Sequence, residues 1–171
     1  DREAMSALSF RYAQGLGTQR DTDQAQRWLQ AALERGSPSA LFWRARQEGQ
    51  GSAAMVNARE KSQQALRGGD PAAFLALVSE SSDRGDREAV WKWAALGVEC
   101  GLPAAYAVRA RLERMKVVPD PKRYAADYKL AAEGGSPEGW CGYARCLATG
   151  AGVEPDARRA KTLFDQAARA S

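Results

Sequence analysis

Gly135-Ser136-Pro137 reads as one helix ending and the next beginning, and the same mark stands at Gly36-Ser37-Pro38, Gly69-Asp70-Pro71 and Gly101-Leu102-Pro103. In each tripeptide, Gly supplies the left-handed conformation that closes a helix at no Cβ penalty. Ser or Asp then offers a side-chain oxygen to the free amides of the following helix, which Leu102 cannot do. Pro fits the first helical turn, where its missing N–H has no partner to lose. The four prolines lie 33, 32 and 34 residues apart, so the punctuation is periodic.

A second series of chain breaks falls half a period out of phase: Gly15/Gly17, Gly49/Gly51, Gly85, Pro119/Pro121 and Gly150/Gly152. All seven prolines belong to one series or the other, so none interrupts a helix. Segments of roughly 11–16 residues lie between the breaks, the length of ordinary globular helices. The period therefore resolves into two helices and two turns. The expected fold is all-α, an αα-hairpin repeat solenoid wound as a right-handed superhelix of about five two-helix repeats. One repeat domain is expected over residues 1–171, with repeats near 1–36, 37–69, 70–101, 102–135 and 136–171.

Composition points the same way. There is no Ile, only eight Val and four Thr, and roughly a fifth of the 171 residues are Ala. A chain so poor in β-branched residues favours helix over sheet. With 44% apolar and 27% charged residues it can bury a core and is not disordered by composition. There is also no His, which excludes Ser–His–Asp and Cys–His catalytic sets, His–metal sites and an imidazole pH switch.

The repeat supplies a frame for the core. Eight residues back from each Gly36-type stop stand Trp28, Lys61, Trp93, Asp127 and Leu163. Four residues back stand Ala32, Ala65, Gly97, Ala131 and Ala167, small enough for two helices to approach closely. In the fourth repeat Tyr124 and Tyr128, an i,i+4 pair, are expected to supply the packing face instead. The second repeat has the thinnest apolar stripe, Ala58, Lys61 and Ala65.

The net charge is +4 and the pI near 9.1, but the signs are mixed along the chain. Residues 1–85 carry 11 basic and 10 acidic side chains, and residues 86–171 carry 14 and 11. The nearest approach to a basic run, Arg109, Arg111, Arg114 and Lys116, is interrupted by Glu113 and reads as a solvated helix face. No nucleic-acid partner is expected, since no basic stripe is present to track phosphates. The longest apolar run, Ala72–Val78, is far short of the roughly 20 residues of a membrane helix, so no membrane insertion is expected. Cys100, Cys141 and Cys146 lack the spacing of a zinc site or a disulfide framework and read as small, buried, reduced thiols. That favours a reducing, cytoplasmic setting over a periplasmic one. The chain opens on Asp1, which marks an excised piece or a processed form.

At its two ends the chain resembles the Sel-one-like repeat (SLR) proteins, a branch of the tetratricopeptide-like helical repeats. Ala144, Gly150-Ala151-Gly152-Val153, Asp156, Ala160 and Ala167-Ala168 are similar to the family's pattern of a small residue, G-x-G-V, D, A and A-A. Leu8, Tyr12, Gly15-x-Gly17, Asp21, Ala25, Trp28, Ala32 and Gly36 follow it in the first repeat. The middle repeats keep the period but depart in detail: the third has only Gly85 at its inner turn, and the fourth has Val117-Val118-Pro119-Asp120-Pro121 there. The resemblance implies that the first helix of each pair lines a concave face and that the protein is a binding scaffold, mostly for other proteins in bacteria.

Interfaces are rich in Trp, Tyr and Arg, which combine apolar area with polar reach. Off the core frame, the first helices carry Phe10 and Arg11; Phe42, Trp43 and Arg46; Tyr106, Arg109 and Arg111; and Trp140 and Arg145. Trp43, Arg46, Phe42, Phe10, Arg109, Trp140 and Arg145 are the candidate partner-binding residues, with Trp43, Arg46 and Trp140 foremost. Trp43→Ala or Arg46→Ala is expected to weaken partner binding with little change in melting temperature. Trp91, two residues from Trp93, points to another face and either packs on a neighbouring repeat or lies exposed.

Catalytic motifs are missing: the chain has no Ser-x-x-Lys, no G-x-S-x-G and no phosphate-binding G-x-x-x-x-G-K. Asp21 and Asp23 open a helix, where carboxylates meet the dipole and cap free amides. No enzymatic activity, cofactor or metal is therefore expected. The leading reading is a protein–protein interaction scaffold or adaptor that binds a peptide or protein on its concave face. The alternative is a bacterial immunity protein or regulator that neutralises or controls one secretion- or envelope-associated protein.

Overall fold

The computed structural model describes residues 1–49 and 52–170; Gly51 of the inner-turn series and Ser171, the end of the fifth repeat, lie outside the described residues. The described residues form ten α-helices and no strand: α1 (Arg2–Gln14), α2 (Thr22–Glu34), α3 (Pro38–Glu48), α4 (Ala53–Arg67), α5 (Pro71–Asp83), α6 (Arg87–Glu99), α7 (Pro103–Arg114), α8 (Pro121–Glu133), α9 (Pro137–Thr149) and α10 (Ala157–Arg169). Each turn expected from the outer series is present. Ser37, Asp70 and Ser136 cap α3, α5 and α9 through their side chains, and Leu102 caps α7 without one. Pro38, Pro71, Pro103 and Pro137 open those helices, and the glycine before each cap has positive φ, from 69° at Gly36 to 82° at Gly135.

The helices fall into two compact units, Asp1–Arg84 with α1 to α5 and Gly85–Ser171 with α6 to α10. In the first unit α1 pairs with α2 and α3 with α4, while the first helices α1, α3 and α5 also touch one another in series. Leu29, Ala32 and Ala40 pack with Met5, Leu33 and Trp43. Phe74, Leu77, Met55 and Leu66 are fully buried. The Ser37 hydroxyl that caps α3 donates to Glu3 at 2.6 Å, and Arg2 pairs with the α5 cap Asp70, so the start of α1 is tied to the next two first helices.

In the second unit consecutive helices from α6 to α10 pack in order, and α7 touches α9. Tyr124 and Tyr128 do fill the fourth repeat's packing face: both are buried, their rings edge to face at 6.4 Å, in a cluster with Ala110, Tyr143 and Leu147. Gly142 makes room for Tyr128, because a Cβ there would stand 2.2 Å from the tyrosine ring.

The core frame differs from expectation by part of a turn. Trp93 and Asp127 are buried, Trp28 and Leu163 are half-buried, and Lys61 is exposed. The position buried in every repeat is eleven back from the stop: Ala25, Ala58, Val90, Tyr124 and, in the same register, Ala160. One turn further, Leu29, Ser62, Ala94 and Tyr128 are buried as well. In the second repeat the inward stripe is Met55, Ala58, Ser62 and Leu66, not the line through Lys61 and Ala65. Lys61 lies next to that stripe, and its ammonium keeps to water. Of the three cysteines only Cys146 is buried; Cys100 and Cys141 are half-exposed, contrary to a reading of all three as buried.

Candidate partner-binding surfaces

On α3, Ser39, Phe42, Trp43 and Arg46 follow the i, i+3, i+4, i+7 spacing that places side chains on one face. On α5, Leu75, Ala76, Ser79 and Glu80 follow a similar stripe, and the two line a cleft of about 270 Å³. Arg46 and Glu80 continue into an adjoining cleft of about 490 Å³ with Met55, Arg59, Asp83 and Arg84. Charge in this second space is internally matched. Arg59 Nη2 and Arg84 Nε reach Glu80 Oε1 at 2.6 and 2.8 Å, and Arg46 pairs with Asp83. Glu80 is almost wholly buried, which is tolerable for a carboxylate only between such donors.

Four of the seven candidate residues are brought together here. Phe42 is buried and forms the floor of the cleft, so only its edge is open to a partner. Trp43 is half-buried, leaning on the Leu29, Ala32 and Ala40 cluster, and the exposed Phe10 stands edge-on to it at 5.4 Å and 84°. That packing corrects the expectation for Trp43→Ala, which will cost stability as well as surface. Arg46 is exposed. Leu75, 54% exposed on the opposite wall, belongs to the same surface and was hidden inside the apolar run Ala72–Val78. Its signal was the helical period: Phe74, Leu77 and Val78 turn inward, and Leu75 turns out.

The other three candidates lie in the second unit and do not share a site. Arg109 is engaged by Asp127 through two hydrogen bonds and lies over the Tyr106 ring at 5.5 Å. Its hydrogen bond to Asp127 holds the guanidinium above its ordinary range against the opposing effect of burial. Trp140 is half-buried and its indole donates to the Ala132 carbonyl at 2.8 Å. Arg145 is exposed and fronts a cleft with Arg111, Arg114 and Tyr128. Trp91 is half-buried, with the Lys116 ammonium 5.1 Å above its ring and Glu113 pairing that ammonium at 2.7 Å. Among the described residues no three His, Cys, Asp or Glu side chains gather as metal ligands would, and no helix is long and apolar enough to cross a membrane.

Helical hairpins repeated at this period, with first helices side by side, define an all-α helical-repeat solenoid. The Sel1 repeat family profile matches residues 2–37 and 141–171, the two ends of the chain. A crystal structure of a Sel1 repeat protein from Oxalobacter formigenes is 26% identical, with a TM-score of 0.59 over 100% of this chain and 72% of that one. A protective antigen present in uropathogenic Escherichia coli strains, which displays an SLR fold, matches at 21% identity and TM-score 0.58, over 98% of this chain and 38% of that one, a likeness of fold alone. No curated protein sequence matched. The two ends of the chain thus match the Sel1 repeat profile, and the whole chain is similar in fold to solved Sel1 repeat proteins. Sel1 repeats generally mediate protein interactions, and their folds are generally non-enzymatic scaffolds.

Proposed function

We propose that this protein is an interaction scaffold or adaptor that holds a peptide or protein segment along its first helices, with the α3–α5 cleft as the principal contact. In this reading the repeats over residues 1–171 act as a single repeat domain. The observation that carries it is the meeting of Phe42, Trp43, Arg46 and Leu75 in one cleft. An exposed apolar side chain, an aromatic floor and an arginine at the rim make the combination that dominates binding at protein interfaces. No catalytic role is proposed.

The test is affinity capture from the source bacterium with the wild-type chain and an Arg46→Ala/Leu75→Ala variant, read by mass spectrometry. Both side chains are exposed, so the variant is expected to keep its melting temperature and lose the captured partner. Capture that survives the double substitution would place binding elsewhere. Several partners of modest affinity fit a scaffold; one very tight partner would instead identify a neutralising protein.

A further inference from the structure

The second unit carries a cleft of different character. It measures about 590 Å³, and its walls include Arg111, Arg114, Glu138, Arg145, Tyr128 and Phe164. An adjoining space of about 280 Å³ shares Arg114, Tyr128 and Arg145, so the two form one surface. Helix geometry assembles it. Arg111 and Arg114 are a turn apart at the end of α7, and Glu138, Cys141, Gly142 and Arg145 follow the i, i+3, i+4, i+7 stripe of α9. The bare Gly142 lets the Tyr128 ring lie against α9 and form the floor.

Three guanidiniums thus face one carboxylate. Arg111 reaches Glu138 only at 3.6 Å, with both side chains more than two-fifths exposed, longer than a good charge-assisted bond. Arg114 is set beside the neutral Tyr128 hydroxyl. Among the described residues neither Arg114 nor Arg145 pairs with a carboxylate, whereas Arg109, Arg111, Lys116, Arg123 and Lys129 each do. The contrast with the α3–α5 surface is clear, since there Arg46, Arg59 and Arg84 all have acidic partners. One wall is apolar, made by Phe164 with Ala167 and Ala168.

We propose that this cleft docks an acidic peptide segment of a protein partner, its Asp or Glu carboxylates taken by Arg111, Arg114 and Arg145 and an apolar side chain resting on Phe164. The planar forks of arginine match carboxylates. The apolar wall and the Glu138 carboxylate suit a peptide better than a run of phosphates. The proposal rests on the protein-binding reading above but not on the α3–α5 cleft.

The experiment uses the full chain and a fluorescein-labelled peptide of repeated Asp-Glu-Leu, read by anisotropy, with its uncharged Asn-Gln-Leu counterpart as control. The acidic peptide is expected to bind, the counterpart not, and added salt to weaken binding. Arg114→Gln/Arg145→Gln should weaken it about tenfold or more, as loss of close charge contacts does, while Lys61→Ala, at an exposed cation outside both clefts, leaves it unchanged. As a readout on the unaltered protein, the peptide should slow alkylation of Cys141, which lines the cleft, and spare Cys100. Absent binding, equal binding of both peptides, or unprotected Cys141 would overturn the proposal. So would displacement of the peptide by polyuridine RNA at equal charge, which would assign the cleft to phosphates. Failure here together with loss of partner capture in the Arg46→Ala/Leu75→Ala variant would leave the α3–α5 reading standing.

Discussion

Arg109 and Asp127 meet fork to fork across α7 and α8, Nε to Oδ2 at 2.8 Å and Nη2 to Oδ1 at 2.7 Å. Asp127 stands where other repeats place Trp28 and Trp93, and its side chain is only 6% exposed. A carboxylate at a core position persists because an arginine one helix away is long enough to reach it and rigid enough to satisfy both oxygens.

Removing the guanidinium should therefore be costly in a specific way. Arg109→Ala leaves a buried charge without its partner, a loss of about 3 kcal/mol, the lower end for such pairs because Arg109 itself is a quarter exposed. At about 2–4 °C per kcal/mol for a chain of this size, melting followed by circular dichroism should fall by roughly 6–12 °C. Arg109→Met with Asp127→Leu should recover most of that loss, since the charge and its counter-charge leave together. A single variant that melts like the wild type would show that the pair is not formed.

The register of α4 can be tested with two substitutions five residues apart, on different faces of the helix. Leu66 is fully buried and Lys61 exposed. Leu66→Ala should cost about 2–5 kcal/mol by urea unfolding, the range for truncating a buried Leu. Lys61→Ala should change stability by less than about 0.5 kcal/mol. The opposite ranking would restore the frame that runs through Lys61 and Ala65.

The difference between those two frames shows what was legible in the chain. Gly-x-Pro marks the helix ends because its cause is local: a glycine at positive φ, a capping oxygen and a proline in the first turn act within a few residues. The outer turns and the repeat period follow from it. Registry inside a helix depends on which face the neighbour covers, so the expected stripe of the second repeat held Ala58 but missed Met55, Ser62 and Leu66. Side-chain pairing is further removed still. Nothing near Arg109 in the chain announces Asp127, and nothing near Arg145 announces Arg114, because solenoid packing brings those helices together across more than a turn and a helix. Phe42 and Trp43 are adjacent in the chain, yet one is a floor and the other a wall of the same cleft.

Glycines within the helices of the second unit mark close approaches. At Gly139 a Cβ would lie 2.6 Å from the Ala131 and Ala132 backbone, which cannot yield as a flexible side chain could. Gly139→Ala should destabilise by about 1–3 kcal/mol, the usual cost of overpacking. Gly68 has φ of −80° and its Cβ would meet only the Ala65 carbonyl oxygen at 3.2 Å and the Gln64 carbonyl oxygen at 4.0 Å. Gly68→Ala should then be close to neutral, within about 0.5 kcal/mol. Equal effects at the two sites would mean that α8 and α9 are not packed this closely.

Stability should also fall in alkali, and the sign follows from two buried groups of the second unit. Burial raises the Tyr128 phenol above its ordinary 10.0, with Arg114 opposing, and raises the Cys146 thiol above 9.0. Each proton is held more tightly in the folded chain than in the unfolded one. The stabilisation is therefore complete below the unfolded values, declines once pH passes about 9, and is lost as pH rises through the folded values. The urea midpoint should be level between about pH 7 and 8 and should drop steadily towards pH 11. Tyr128→Phe with Cys146→Ala should start lower by about 1 kcal/mol or more at neutral pH, from the lost contact with Arg114 and the lost sulfur. Its alkaline slope should be shallower than that of the wild type, because the groups that titrate are gone. Parallel slopes for the two proteins would show that other groups govern the alkaline limit.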